Sequence, residues 1–390
     1  MIDFTLSEEQ QAMRDLAHTF AEQEIRPVAA ELDEREEFPW ELVKKAGALG
    51  LTTFAFPEEI GGLGITDELT NCIITEELAW GCGGVATVLG GTHLASIPIL
   101  LAGTDEQKRR LLKPIVERNG LCAMALTEPG AGSDVAAMTT TARREGDMYV
   151  LNGAKRFITN GGIADLYVVF ATVDRALGHR GVTAFIVPGE TPGLAGGKKE
   201  KKLGIRCSHT GEVLLDDVRV PVENRLGAEG SGFKLAMTML DRSRPMVAAI
   251  ALGIARAAYE YARDYAKERV QFGQPIAANQ GIQFLLAEMA TKAQAARLMT
   301  WWSARVTETG RPFLFESSMA KNFASDVAME VTTDAVQVLG GAGYVRDWPV
   351  ERYMRDVKVS QIFEGTNQIQ RLVIARETLL PRPTEQPAAA

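Results

Sequence analysis

The period of the apolar residues changes twice along this chain of 390 residues, and those two changes constrain the fold more than any other feature. From Ser7 the spacing is helical. Ser7 and Gln10 stand in the S-x-x-Q arrangement that satisfies free amides at a helix start, and Met13, Leu16, Ala17 and Phe20 mark one stripe. Further helical stretches are expected at 40–49, 67–79 and 105–117, with a loop at 57–64. From Cys122 the pattern shortens to runs rich in β-formers at 149–151, 166–172, 182–187 and 212–220, each bounded by Gly, Pro or Asp. Asn152-Gly153 predicts a hairpin turn, because both turn positions need φ > 0. After Gly232 long Ala-rich helical periods return at 233–266, 279–308, 313–339 and 366–379, and four such helices predict a bundle. The expected fold is mainly α with a central β domain. It comprises an N-terminal helical domain (1–121), a middle β-barrel-like domain (122–232) and a C-terminal four-helix bundle (233–380). The ending PRPTEQPAAA (381–390), with three prolines and no apolar period, predicts a disordered tail.

Composition excludes several classes of function. With 46% hydrophobic residues the chain can bury a large core, and 42 basic against 50 acidic residues argue against a nucleic-acid binder, whose footprint is basic. Cys72, Cys82, Cys122 and Cys207 show no C-x-x-C spacing, and His18, His93, His179 and His209 form no H-E-x-x-H pair, so no metal site is expected. The opening MIDFTLSEEQ lacks the basic start and apolar stretch of a signal peptide, and a reducing cytoplasm is the expected compartment. The run at 246–255, read as the most apolar, is closed by Arg244 and Arg256 and is shorter than the ~20 residues that span a bilayer, so no membrane span is expected. The lysines at 198–202 are read as a solvated loop.

No G-x-G-x-x-G follows a strand and no Walker A string is present, so any dinucleotide must be held by separated segments. Four segments qualify. Leu126-Thr-Glu-Pro-Gly-Ala-Gly-Ser-Asp134 exposes backbone amides beside two hydroxyls, and Arg156-Phe-Ile-Thr-Asn-Gly-Gly162 carries an aromatic and a hydroxyl suited to flank a flat ring. Glu268-Arg-Val-Gln-Phe-Gly-Gln-Pro275 offers a guanidinium for a phosphate. Ile362-Phe-Glu-Gly-Thr-Asn-Gln-Ile-Gln-Arg371 places Glu364 at a loop tip before a helix that Thr366 can cap. Taken alone, each also reads as an ordinary loop or hairpin edge. For Glu364, Phe363 supplies a desolvating wall and Gly365 lets a substrate approach the backbone, as proton abstraction beside a carbonyl requires.

These four segments, in this order, resemble the acyl-CoA dehydrogenase family. Asp241-Arg-Ser-Arg-Pro245, Val336-Gln-Val-Leu-Gly-Gly-Ala-Gly343 and Pro349-Val-Glu-Arg-Tyr-Met-Arg-Asp356 extend the likeness from Leu6 to Leu380. Within the family the chain looks most like the medium-chain and short-chain branch. The resemblance implies FAD, with Leu126, Thr127, Phe157 and Thr159 at the flavin ring, Ser133 bordering both cofactor and acyl-CoA, and Thr366 and Gln368 along the rest of the cofactor. A neighbouring subunit would contribute Arg269, Phe272, Gln337, Gly340 and Gly341, usually within a homotetramer. Asp241, Ser243, Arg244 and Gly365 would border the acyl-CoA. Two departures stand out: the family often has Trp where this chain has Phe157 and Tyr where it has Met124.

By the same resemblance, Glu364 would take the α-proton of the thioester, the β-hydrogen would pass as hydride to the flavin, and a trans-2-enoyl-CoA would result. Electrons would leave through an electron-transferring flavoprotein. Some members carry the base on the helix near Ser243, which here cannot act as one. A flavin oxidase of the same fold and a non-catalytic acyl-CoA-binding subunit are the competing readings. Small residues at Ala86 and Gly90, with Ser360 where the medium-chain branch often has an aromatic, predict a deep acyl pocket. The expected substrates are therefore medium-chain or longer, since each buried methylene adds about 0.8 kcal/mol.

Overall fold

Ser7 caps the first helix, and the reciprocal Gln10 contacts of the capping box are formed at 3.1 Å each. The computed structural model describes residues 5–379, so the expected tail at 381–390 lies outside the described residues. The first unit runs through α1 (Glu8–Phe20), α2 (Arg26–Arg35), α3 (Trp40–Ala48), α4 (Glu68–Gly81) and α5 (Gly83–Ala102), then the short α6 (Asp105–Gln107) and α7 (Lys113–Glu117). The helix expected at 105–117 is interrupted by a π-turn at Lys108–Leu112, and another at Ala21–Ile25 separates α1 from α2. Pro114 and Pro27 follow directly at the start of the next helix. A proline lacks the amide for an i−4 bond and crowds that carbonyl, and a widened turn absorbs both defects. By length and composition α5 is apolar enough to cross a membrane, a property the sequence reading did not assign to it; more than half of it is buried inside the protein.

The middle unit is a sheet of β1 (Cys122–Ala125), β2 (Thr141–Glu145), β3 (Met148–Thr159), β4 (Leu166–Thr172), β5 (Val182–Pro188), β6 (Leu194–Lys199), β7 (Thr210–Pro221) and β8 (Arg225–Leu226). Its order is β6-β7-β3-β2-β4-β5-β8, with β1 parallel to β4. The Asn152-Gly153 hairpin is not formed: both residues lie inside β3, at a bulge against β7. Asn152 exchanges hydrogen bonds with Asp217 at 2.9 Å each, and a Cβ on Gly153 would stand 2.5 Å from Thr140 Oγ1, so close approach rather than a turn explains the glycine. The turn falls instead at Gly146 (φ 64°), between β2 and β3. Nor are the lysines at 198–202 all loop. Lys198 and Lys199 end β6, and Lys199 and Lys202 donate to the Glu36 and Ser208 carbonyls.

The last unit holds α8 (Gly232–Glu268), a hairpin of β9 (Val270–Gln271) and β10 (Gln274–Pro275), α9 (Gln280–Thr307), α10 (Leu314–Leu339), α11 (Val350–Val357) and α12 (Asn367–Leu379). The apolar run at 246–255 forms the buried middle of α8. Here α8 crosses α4 at backbone range, since a Cβ on Gly253 would sit 2.3 Å from the Glu76 carbonyl. Arg256 of α8 binds the buried Glu76 and Glu77 of α4, and Arg297 of α9 joins Glu76 at 2.6 Å. One apolar core runs through both helical units, from Ala17 to Val357. The two faces of the sheet bury separate clusters, one of them packed on α5 and the start of α8.

Candidate active site

Glu364 sits between a 3-10 turn at Lys358–Gln361 and α12, in the left-handed region at φ 53°, followed by Gly365 at φ 87°. Two successive residues of this kind need external support, and only the glycine adopts the region without cost. Gln370 supplies part of it, its side-chain amide donating to the carbonyls of Glu364 (3.2 Å) and Gly365 (3.0 Å). Lys321 of α10 supplies more, donating to the Gly365 carbonyl at 2.7 Å and to Asn367 Oδ1 at 2.8 Å. Thr366 caps α12 as expected, accepting from the Ile369 amide at 3.3 Å.

The Glu364 carboxyl is half-buried, and its Oε2 accepts from Ser243 Oγ at 2.7 Å. Burial raises its pKa above the usual glutamate value, against the Ser243 hydrogen bond and the charges of Arg244 and Lys321. Ser243 also lies 3.1 Å from the Leu240 carbonyl, but a hydroxyl has one proton, and the ionised carboxylate is the stronger acceptor. Arg244 is buried, binding Asp241 at 2.7 Å and Ser318 Oγ at 3.0 Å, while its Nε has no partner among the described residues. Burial pushes Asp241 up despite this pairing. Pro245 within α8 removes the amide that would take the Asp241 carbonyl, leaving another acceptor beside the cluster.

In the β unit, the Arg156 amide donates to the Thr127 carbonyl at 2.9 Å, bringing the 126–134 loop beside Phe157. Phe157 has φ 59° and is 57% exposed, with the Arg156 guanidinium 4.9 Å from its ring centre. Leu126 is buried, Thr127 and Thr159 are half-buried, and Ser133 is exposed. Behind the loop the fully buried Lys155 pairs with Glu128 at 2.8 Å. Burial pushes Glu128 up, but the Lys155 charge and hydrogen bonds from Lys155, Thr140 and Thr139 outweigh it and bring the carboxyl to about 2. A Cβ on Gly130 or Gly132 would meet nothing within 4 Å. An exposed aromatic face beside hydroxyls and open glycine backbone fits a flat heteroaromatic ring with a polar edge.

The structure thus brings Glu364, Gly365, Asp241, Ser243 and Arg244 into one cluster. Arg269, Phe272, Gln337, Gly340 and Gly341 are exposed, Phe272 to 98%, and no hydrogen bond or ion pair joins them to that cluster. Gln368 is also exposed and makes no hydrogen bond to the Glu364 loop. The sequence reading missed Lys321, Ser318, Asn367 and Gln370. A signal existed for Lys321: it is the one charged residue in the small-residue stripe Ser317, Ala320, Lys321, Ala324, Ser325, Ala328.

A helical, sheet and helical chain with a raised carboxyl on its bundle and an exposed aromatic face with open glycine backbone on its sheet defines a class of protein suited to hold a flat bound group. Three family models match in order: the acyl-CoA dehydrogenase N-terminal domain at 7–119, the middle domain at 123–218 and the C-terminal domain at 230–379. The chain belongs to the acyl-CoA dehydrogenase family. It is 46% identical to a short-chain specific acyl-CoA dehydrogenase of Clostridium acetobutylicum over 375 residues, 96% of this chain and 99% of that one. Butyryl-CoA dehydrogenase from Megasphaera elsdenii superposes with a TM-score of 0.95 at 46% identity, covering 97% of this chain and 100% of the other. The FAD complex of PigA superposes with a TM-score of 0.92 at 30% identity, covering 97% and 99%. The protein is an FAD-dependent acyl-CoA dehydrogenase.

Proposed function

We propose that this enzyme converts a short-chain saturated acyl-CoA to its trans-2-enoyl-CoA, with Glu364 as the base that takes the α-proton. The observation that carries this reading is the Glu364 carboxyl, desolvated yet held by Ser243 on a loop whose backbone is fixed by Gln370 and Lys321. Desolvation makes a carboxylate more basic, and a positioned base needs little reorganisation. The Glu364 amide is the proposed donor to the thioester carbonyl, stabilising charge as the proton leaves. Ser133, Asp241, Arg244 and Gly365 border the acyl-CoA in this reading. Bound FAD supplies the acceptor for the β-hydrogen. Leu126, Thr127, Phe157, Thr159, Ser133, Thr366 and Gln368 would hold it within the chain.

The exposure of Arg269, Phe272, Gln337, Gly340 and Gly341 supports their contribution to a neighbouring subunit's cofactor, within a homotetramer. An electron-transferring flavoprotein is the proposed acceptor of the electrons and the cytoplasm the proposed compartment, which suits four buried, unpaired cysteines.

The medium-chain expectation gives way to a short-chain one. Of the relatives named above, the Clostridium acetobutylicum protein is short-chain specific and the Megasphaera elsdenii structure is a butyryl-CoA dehydrogenase. Two of the three residues behind the earlier expectation have no room to lend: Ala86 and Ser360 are packed to 2% and 1% exposure, and Ser360 Oγ donates to the Val357 carbonyl at 2.5 Å. Only Gly90 faces open space. The test is stopped-flow reduction of the bound flavin by C4 to C16 acyl-CoAs. The native enzyme should reduce fastest with C4, and Glu364→Gln should bind the thioester yet lose at least about a thousandfold in rate. An optimum at C8 or above would reject the chain-length assignment, and substantial reduction by Glu364→Gln would reject the base.

A further inference from the structure

Lys321 is fully buried in α10, and among the described residues it forms no ion pair with a carboxylate. Its hydrogen bonds run to the Gly365 carbonyl and Asn367 Oδ1. Asn367 opens α12, so the ammonium stands at the end of a helix that already carries partial positive charge, where a cation is unfavourable. A buried lysine without a carboxylate partner is costly, and a hydrophobic side chain would serve packing better. The arrangement is therefore poorly explained by stability and well explained by its neighbour, Glu364.

We propose that Lys321 is a positioning residue for the reaction: from beneath the Glu364–Gly365 turn it fixes the backbone of the base and supplies the positive charge that keeps the carboxyl ionised. Drawing the Glu364 and Gly365 carbonyls inward, toward Gln370 and Lys321, turns the amides of Gly365 and Thr366 outward, because each peptide unit is planar and trans. The charged groups facing Glu364 are Arg244 from α8 and Lys321 from α10, and Arg244 is already engaged by Asp241. Those acting on Lys321 are Glu364, Arg244 and Asp326. Burial lowers Lys321 to about 7, partly offset by Glu364, so its charge is present on the acid side of neutrality, where Glu364 most needs it.

This inference rests on Glu364 being the base, and the test separates the two. Flavin reduction by the fastest acyl-CoA is followed from pH 5.5 to 9 for native holoenzyme, Lys321→Met, Lys321→Gln and Glu364→Gln. Gln can still donate to the Gly365 carbonyl but carries no charge, and it decides the matter if Met fails to fold. Both Lys321 variants should show the acid limb moved up by about one unit, with Lys321→Gln approaching the native rate at pH 9, where native Lys321 is itself neutral, and Lys321→Met keeping there the further loss that follows from the missing donor to Gly365. The Glu364 carboxyl band in the infrared, identified by subtraction of Glu364→Gln, should titrate higher by the same amount. An acid limb that stays at the native position in Lys321→Gln would overturn the role of Lys321 while leaving Glu364 in place. Full activity in Glu364→Gln would instead overturn the base, and this inference with it.

Discussion

At the scale of single residues, the loop that carries Glu364 was legible because it is written in its immediate neighbours: an aromatic before the acid, a glycine after it and a capping threonine next. What could not be read was the far side of the hydrogen bond. Ser243 lies 121 positions away, and its hydroxyl meets Glu364 only because α8 passes under the loop. The raised pKa of Glu364 sets the sign of the pH response. The protonated form is favoured by the fold, so this group's contribution to stability is present below the ordinary glutamate value and is lost as pH rises through the raised one. In the proposed reaction the response runs the other way, since a base works only when ionised. Ser243→Ala removes a donor to the ionised form and should move the acid limb of flavin reduction up by about one pH unit, leaving the alkaline plateau within about threefold of native. An unmoved limb would mean that the hydroxyl prefers the Leu240 carbonyl.

At the scale of elements, α8, α9, α10 and the strand at 166–172 follow the apolar period closely, because each buries a stripe or run of small and apolar residues. Local rules failed where a neighbouring element imposed its own demand. Asn152-Gly153 has the composition of a turn, but β7 pairs on both sides of it, so the chain bulges and continues. The helix at 105–117 has the right period, yet Pro114 forces a widened turn. The Glu128–Lys155 pair binds the 126–134 loop to β3 in the same non-local way. Its carboxylate, at about 2, contributes stability above the ordinary glutamate value that is lost as pH falls through about 2. Lys155→Met leaves a buried carboxylate unpaired and should cost about 3–5 kcal/mol at pH 7. The further change Glu128→Gln should recover part of that loss. Equilibrium denaturation of the two variants checks this, and an unchanged midpoint for Lys155→Met would show that the pair contributes nothing.

At the scale of the whole molecule, the sheet unit is fastened to the helical units by a polar seam. Arg355 of α11 binds Asp33 of α2 at 2.8 Å and the Leu203 carbonyl at 3.1 Å, and Asp356 takes the amide of Ile205 at 2.5 Å. Ile205 is held at φ 45°, which a β-branched residue rarely adopts, and a Cβ on Gly204 would stand 2.2 Å from the Arg355 carbonyl. Burial raises Asp356 to about 8, against the Ile205 hydrogen bond and Arg352. A raised carboxyl contributes stability that is complete below its ordinary value and fades as pH rises through about 8. Asp356→Asn cannot ionise, so its melting temperature relative to native should climb between pH 5 and pH 9, by an amount on the order of a few kcal/mol in stability. A difference between the two proteins that stays constant over that range would show that Asp356 does not titrate there.

Sequence by itself determined the order of helical, sheet and helical units, the Ser7 and Thr366 caps and the loop that carries Glu364, because these depend on residues within a turn or two of one another. Tertiary structure alone decided the rest: that α8 and α10 deliver Ser243, Arg244 and Lys321 to that loop, that Asn152-Gly153 bulges rather than turns, and that Asp356 fastens the sheet unit to the bundle. Each of these is a contact between segments dozens to hundreds of positions apart. Burial, and with it the charge state of Glu364, Lys321 and Asp356, exists only once the whole chain has packed around them.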